Sequence, residues 1–233
     1  MMKKIIGIFV CMLMISGALV SATDLLQDKK VLKTDSGTIT VTIPIGSYQF
    51  VEEKQGYELR MDNFGRLLIP GKPNLPSKIF SIAIPPGAEV QEVNFEAKNS
   101  YVIPGKYKIE PCTLPRVIGP ESSVANARDQ QLYNQNFKSV YGQDNPYPQS
   151  VGEVMGTGGY RKYNLVDVRV SPIIYYPLSG KLLYHPDITV TIQYTFPKGF
   201  SSKDIMIDNI PSAEQTAKEI ILNYDQAKNW YPN

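Results

Sequence analysis

The sequence holds one histidine and two cysteines in 233 residues. So few imidazoles and thiols leave no room for a Cys/His zinc site, a haem ligand pair or an iron–sulfur cluster. No cofactor and no metal is expected, although 22 acidic residues keep an all-oxygen calcium site open. Charge of one sign is also lacking. The balance of 24 basic to 22 acidic residues gives a net +2, without the clustered basic face that nucleic acid requires. Disorder is excluded by composition, since 42% of the residues are hydrophobic and 20% charged.

Only one long apolar run exists, and it stands at the N-terminus. Met1-Met2-Lys3-Lys4 is a short basic start, and Ile5 to Val20 is apolar apart from Gly and Ser16. At about 16 residues the run is short of the roughly 20 that a spanning helix needs. Val20-Ser21-Ala22 places small residues at a signal-peptidase site, so cleavage is expected between Ala22 and Thr23. The protein then reads as exported, to the periplasm or beyond, and as no membrane protein after signal removal. Loss of Lys3, Lys4 and Cys11 leaves balanced charge and one thiol, Cys112, so no internal disulfide can form.

The remainder is rich in Tyr, Val, Ile, Thr and Pro, with Gly and Pro as punctuation, which is the pattern of short strands joined by turns. Thr38–Ile45, Tyr48–Val51, Gly56–Met61, Lys78–Ile84, Glu89–Lys98, Tyr163–Val170, Ile173–Tyr176, Lys181–Tyr184 and Ile188–Phe196 read as strands. In the last, Ile188, Val190, Ile192, Tyr194 and Phe196 share one face, and Thr189, Thr191, Gln193 and Thr195 the other. One packed face and one wet face mark antiparallel pairing. The expected fold is all-β: an antiparallel sandwich or flattened barrel with long loops and a short C-terminal helix. That helix is announced by a capping-box pattern, Ser212-Ala213-Glu214-Gln215, after Pro211, with Ala213, Ala217, Ile220, Ile221 and Tyr224 on one face. A weaker helix is read at Ser123–Leu132. Otherwise residues 111–161 read as an irregular stretch, the natural place for a binding loop.

Groups able to do chemistry are scarce. A nucleophilic pair would have to be Cys112 with His185, yet Cys112 lies between two prolines with no adjacent base to lower its pKa. Carboxylates at Glu52-Glu53, Asp204, Asp208 and Asp225 read as solvated turn residues, not as a facing acid–base pair. Gly156-Thr157-Gly158-Gly159 lacks the Lys-Ser/Thr of a phosphate loop and reads as a turn. The tyrosines allow a sugar-stacking platform, although strand aromatics more often face a core.

Two blocks are more distinctive. The first is Gly65-Arg66-Leu67-Leu68-Ile69-Pro70-Gly71-Lys72-Pro73-Asn74-Leu75-Pro76 followed by Ile82-Ala83-Ile84-Pro85-Pro86-Gly87-Ala88. The second is Val168-Arg169-Val170-Ser171-Pro172, Tyr175-Tyr176-Pro177 and Ser179-Gly180-Lys181-Leu182, with Tyr147-Pro148 and Tyr160-Arg161 between. In order and spacing these resemble the N-terminal propeptide of gingipain-type cysteine peptidases, over roughly residues 40–230. The resemblance implies a β-rich domain, itself non-catalytic, that assists the folding of a caspase-like catalytic domain and blocks its cleft. It implies a basic residue in the peptidase's specificity pocket, for which Arg128 is the favoured candidate and Arg116 and Lys138 the others. The catalytic His and Cys would belong to the partner domain, which is not found before Asn233.

The expected organisation is a signal peptide at 1–22, an N-terminal segment at 23–37, a sandwich at 38–211, and a helix and tail at 212–233. Three functions compete. One is an inhibitor and folding assistant of a secreted peptidase, another a secreted carbohydrate- or surface-binding sandwich, the third a hydrolase using Cys112 and His185.

Overall fold

The computed structural model describes residues 36–54, 56–114, 118–119, 122–199 and 206–231. The expected export signal and Arg116 lie outside them. The strands are β1 (Ser36–Pro44), β2 (Tyr48–Glu53), β3 (Gly56–Met61), β4 (Gly65–Arg66), β5 (Pro76–Ile84), β6 (Glu89–Lys98) and β7 (Tyr101–Ile103). After helix α1 (Ser122–Tyr141) come β8 (Gly152–Tyr160), β9 (Tyr163–Val170), β10 (Ile173–Tyr176), β11 (Lys181–Tyr184) and β12 (Asp187–Thr195). Helices α2 (Pro211–Ile220) and α3 (Tyr224–Ala227) close the chain.

Every pairing between strands is antiparallel. Strand β12 lies between β1 and β6, with Ile39 opposite Ile192, Val41 opposite Val190 and Ile43 opposite Ile188. A second sheet runs β4-β5-β9-β8. The alternating apolar residues of the two sheets meet in one core: Ile39, Ile43, Ile188, Val190 and Ile192 from the first, Phe80, Ile82, Ile84, Val166, Val168 and Val170 from the second. This is the expected sandwich, and no sheet closes into a barrel.

The opposite face of β5 and β9 is covered as well. Ala83, Tyr163 and Leu165 pack with Ala217, Ile221, Ala227 and Tyr231 from the C-terminal helices. The chain beyond α2 also finishes the edge of β5. Leu222 N donates to Ser81 O at 2.9 Å, and Asn223 both accepts from Ala83 N (2.7 Å) and donates to Ala83 O (2.9 Å). An open edge with free main-chain groups is thereby capped by a side-chain amide. A third sheet, β10-β11-β7, and the hairpin β2-β3 enclose a second core around Leu59, Leu75, Ile109, Tyr175 and Leu182.

Three expectations need correction. Residues 111–161 are not one irregular stretch, because α1 runs twenty residues and β8 another nine. Helix α1 lacks a continuous apolar stripe, so periodicity marks only part of it. Val124 is 76% and Leu132 50% exposed. Strand β8, including Gly156-Thr157-Gly158-Gly159, is exposed along most of its length and so shows no alternation. The capping box at Ser212 does not form. The N-cap is Ile210 without a side-chain cap, Pro211 begins the helix, and Gln215 donates to Glu219 at 2.8 Å. The apolar face of α2 is also cut short, since Ile221 is already extended and Ile220 is exposed.

Candidate functional site

The loop Leu67–Leu75 lies within the first distinctive sequence block, and Gly71, Pro73 and Leu75 are buried in it. Leu67 N donates to Leu75 O (2.9 Å), and Lys72 N donates to Ile69 O (3.0 Å). A loop so bonded to itself presents its remaining main-chain groups outward in fixed directions. Residues 110–112 take them up. Gly71 N donates to Cys112 O at 3.0 Å, Cys112 N to Lys72 O at 2.8 Å, and Asn74 N to Glu110 O at 3.0 Å.

Helix α1 docks on the same loop. Asn136 Nδ2 donates to Pro70 O at 2.9 Å, and Tyr141 Oη donates to Ile109 O at 2.8 Å. The Tyr141 ring stacks on Phe137 at 4.6 Å. Burial pushes the Tyr141 phenol above its ordinary pKa, so it stays a neutral donor at any physiological pH. Residues 110–112 and the C-terminal half of α1 are thus both fastened beside the loop. The N-terminal half of the helix makes few such contacts and is largely exposed.

Beside this anchor lies an open cavity of about 680 Å3, lined among others by Leu67, Ile69, Lys72, Tyr147, Glu153 and Arg169. Arg169 pairs with Glu153 at 2.6 Å, and Lys72 Nζ stands 5.7 Å from the Tyr147 ring centre. Tyr147 is pushed up to about 12 by burial.

The residues singled out by sequence fall in several places. Arg128 and Lys138 are exposed on α1. Cys112 is buried, its thiol is pushed up in pKa by burial, and its only hydrogen-bond acceptor among the described residues is Leu67 O at 3.5 Å. His185 is buried elsewhere, beside the β11–β12 junction, with Ser100 Oγ at 2.6 Å from Nδ1. Burial lowers its pKa. Neither group has the partners of a nucleophile and its base. Asp208 is held by Arg161 and Asp225 by Lys228, while Glu52 and Glu53 are exposed at the end of β2. Four tyrosines, Tyr163, Tyr175, Tyr184 and Tyr231, are buried in cores and do not form a flat stacking surface. Among the described residues no helix is long and apolar enough to cross a membrane.

Sequence reasoning missed the anchor itself. Gly71, Tyr133, Asn136 and Tyr141 carry no catalytic signature. The one available signal was the Gly-Lys-Pro-Asn-Leu-Pro block, which is distinctive as a string but silent about what packs on it.

A sequence model of the Propeptide_C25 family matches residues 30–229. No curated protein matches the chain. Among solved structures, the complex of the pro- and mature domains of RgpB from Porphyromonas gingivalis has a TM-score of 0.53 at 18% identity. That match covers 81% of this chain and 93% of the other. A structure addressing the zymogenic latency of gingipain K from the same organism gives a TM-score of 0.49 at 16% identity, covering 70% and 94%.

Proposed function

The chain belongs to the Propeptide_C25 family, and from that premise we propose that it binds the caspase-like catalytic domain of a gingipain-type cysteine peptidase and closes its cleft until removed. The chain is a propeptide domain rather than a peptidase domain, and the reacting groups are supplied by its partner. The observation that carries the reading is the anchor. Residues 110–112 and α1, which lie on either side of a sequence stretch containing a basic residue, are both bonded to one loop. Holding a blocking segment at both ends lowers the entropy lost on binding.

Arg116 is proposed to fill the specificity pocket. A cleft that reads an extended chain needs free main-chain groups, and in α1 those groups are spent on the helix. Arg128 and Lys138 therefore serve better as rim contacts that speed encounter. Export through residues 1–22, with action outside the cytoplasm, belongs to the same reading.

The test uses residues 23–233 and a purified gingipain-type catalytic domain. Inhibition with one-to-one complex formation is expected, and Arg116→Ala should weaken it far more than Arg128→Ala or Lys138→Ala. A chain that neither binds nor slows the peptidase would reject the proposal.

A further inference from the structure

Three parts of the chain meet at one residue without a side chain. Gly71 has φ +81°, in the left-handed region where a Cβ is strained. A Cβ placed there would strike the carbonyl oxygen of Tyr133 in α1, with Tyr133 C at 3.1 Å and Asn136 Cβ at 3.2 Å. The obstacle is helix backbone, which cannot rotate away as a side-chain tip can. Gly71 cannot retreat either, because its own N–H is committed to Cys112 O at 3.0 Å. Its neighbours on both sides are tied as well: Pro70 O accepts from Asn136, and Lys72 O accepts from Cys112 N. The residue is pressed between helix and strand stub, and it sets the distance between them.

We infer that Gly71 is a positioning residue for inhibition: it fixes α1 against residues 109–112, and so fixes the two points from which the blocking stretch reaches the peptidase. This rests on the function proposed above. Gly71 touches nothing in the partner and acts through Tyr133, Asn136 and Cys112. A side chain at position 71 moves the helix outward and separates the two points, while the sandwich core, built from other residues, stays intact.

The experiment compares wild type, Gly71→Ala, Asn136→Ala and Gly87→Ala as residues 23–233. Gly87 also has positive φ (+74°), but it lies in the turn at the far end of β5 and has no part in the anchor. For each protein the thermal midpoint, the inhibition constant and amide hydrogen exchange of the free chain are measured. Gly71→Ala should weaken inhibition by roughly ten-fold or more, whereas Gly87→Ala, with a comparable loss of midpoint, should stay within about two-fold of wild type. Asn136→Ala, which removes one anchor bond without straining the backbone, should fall between them. Exchange should quicken over residues 131–141 and 109–112 in Gly71→Ala and stay unchanged in β1, β6 and β12.

Gly71→Ala and Gly87→Ala shifting midpoint and inhibition alike, or unchanged exchange over α1 in Gly71→Ala, would overturn the inference. If Gly71→Ala does not fold, Asn136→Ala decides, and wild-type inhibition with wild-type exchange in that variant overturns it. A wild-type chain without effect on the peptidase counts against the functional proposal, and the exchange data then judge the positioning alone.

Discussion

Tyr163 at the start of β9 donates its hydroxyl to Glu214 Oε1 in α2 at 2.6 Å, across 51 residues of sequence. Tyr224 donates to the same oxygen at 2.6 Å, and Lys162 Nζ lies 3.3 Å from Oε2. Arg161, next to Lys162, holds Asp208. The tip of the β8–β9 hairpin thus grips α2 and the segment leading into it through two acids.

This grip makes stability depend on pH. Burial opposes the Glu214 charge, but the bonds from Tyr163, Tyr224 and Lys162 outweigh it, and the carboxyl is held below its ordinary 4.5. Arg161 holds Asp208 below 3.8 in the same direction. Lowered folded pKa values stabilise fully above the unfolded values and fade as pH falls through the folded ones. The midpoint gap between wild type and Glu214→Gln should be constant above about pH 5.5 and shrink below about pH 4.5. A gap that does not change with pH would show that Glu214 is held by packing instead of charge.

His185 gives the opposite-charge case with its own window. Burial lowers its pKa from the ordinary 6.5. The unfolded chain takes up a proton first, so stability drops as pH falls below 6.5 toward the folded value. In His185→Asn this step below pH 6.5 should vanish from the midpoint profile. Imidazole NMR shifts of wild type should report a titration midpoint below that of a free imidazole.

Tyr231 is 2% exposed, donates to Ile84 O at 2.6 Å and accepts from Asn164 N at 2.9 Å. Tyr231→Phe should cost about 1–3 kcal/mol through the unpaired amide and carbonyl. Tyr231→Ala should cost about 3–5 kcal/mol, because the ring leaves a cavity against Ala83 and Leu165. Urea unfolding measures both, and near-equal losses would mean that the hydroxyl contributes everything.

Asn223→Ala should cost about 2–3 kcal/mol, since Ala83 N–H and C=O lose their shared partner inside the protein. Amide exchange at Ala83 should rise by more than at Phe80, on the same strand.

Cys112 is placed to be inert. In the folded protein a maleimide should fail to label it, and labelling should appear only with unfolding. Cys112→Ala should keep full inhibition. Loss of inhibition with an unchanged fold would return the thiol to a functional role.

Much of the sandwich is legible in sequence because a half-buried strand writes its environment every second residue. The alternation Ile188, Val190, Ile192 against Thr189, Thr191, Gln193 is the burial pattern of β12. Strand β8 and helix α1 escape the same reading because burial is what writes the pattern, and most of their side chains face water. The capping box misled for another reason: Pro211 opens α2 ahead of Ser212, so Ser212 is already inside the helix and Gln215 turns to Glu219.

By itself the sequence determined most of the strands, through the spacing of apolar side chains that must leave water, and which family of propeptides the chain resembles. It also determined that thiol and imidazole chemistry is scarce. Only the tertiary structure decided that loop 67–75, residues 110–112 and α1 converge on Gly71. That convergence depends on backbone atoms of segments about 40 and 60 residues apart meeting where a methyl group has no room, and main-chain proximity leaves no periodic trace in the side chains.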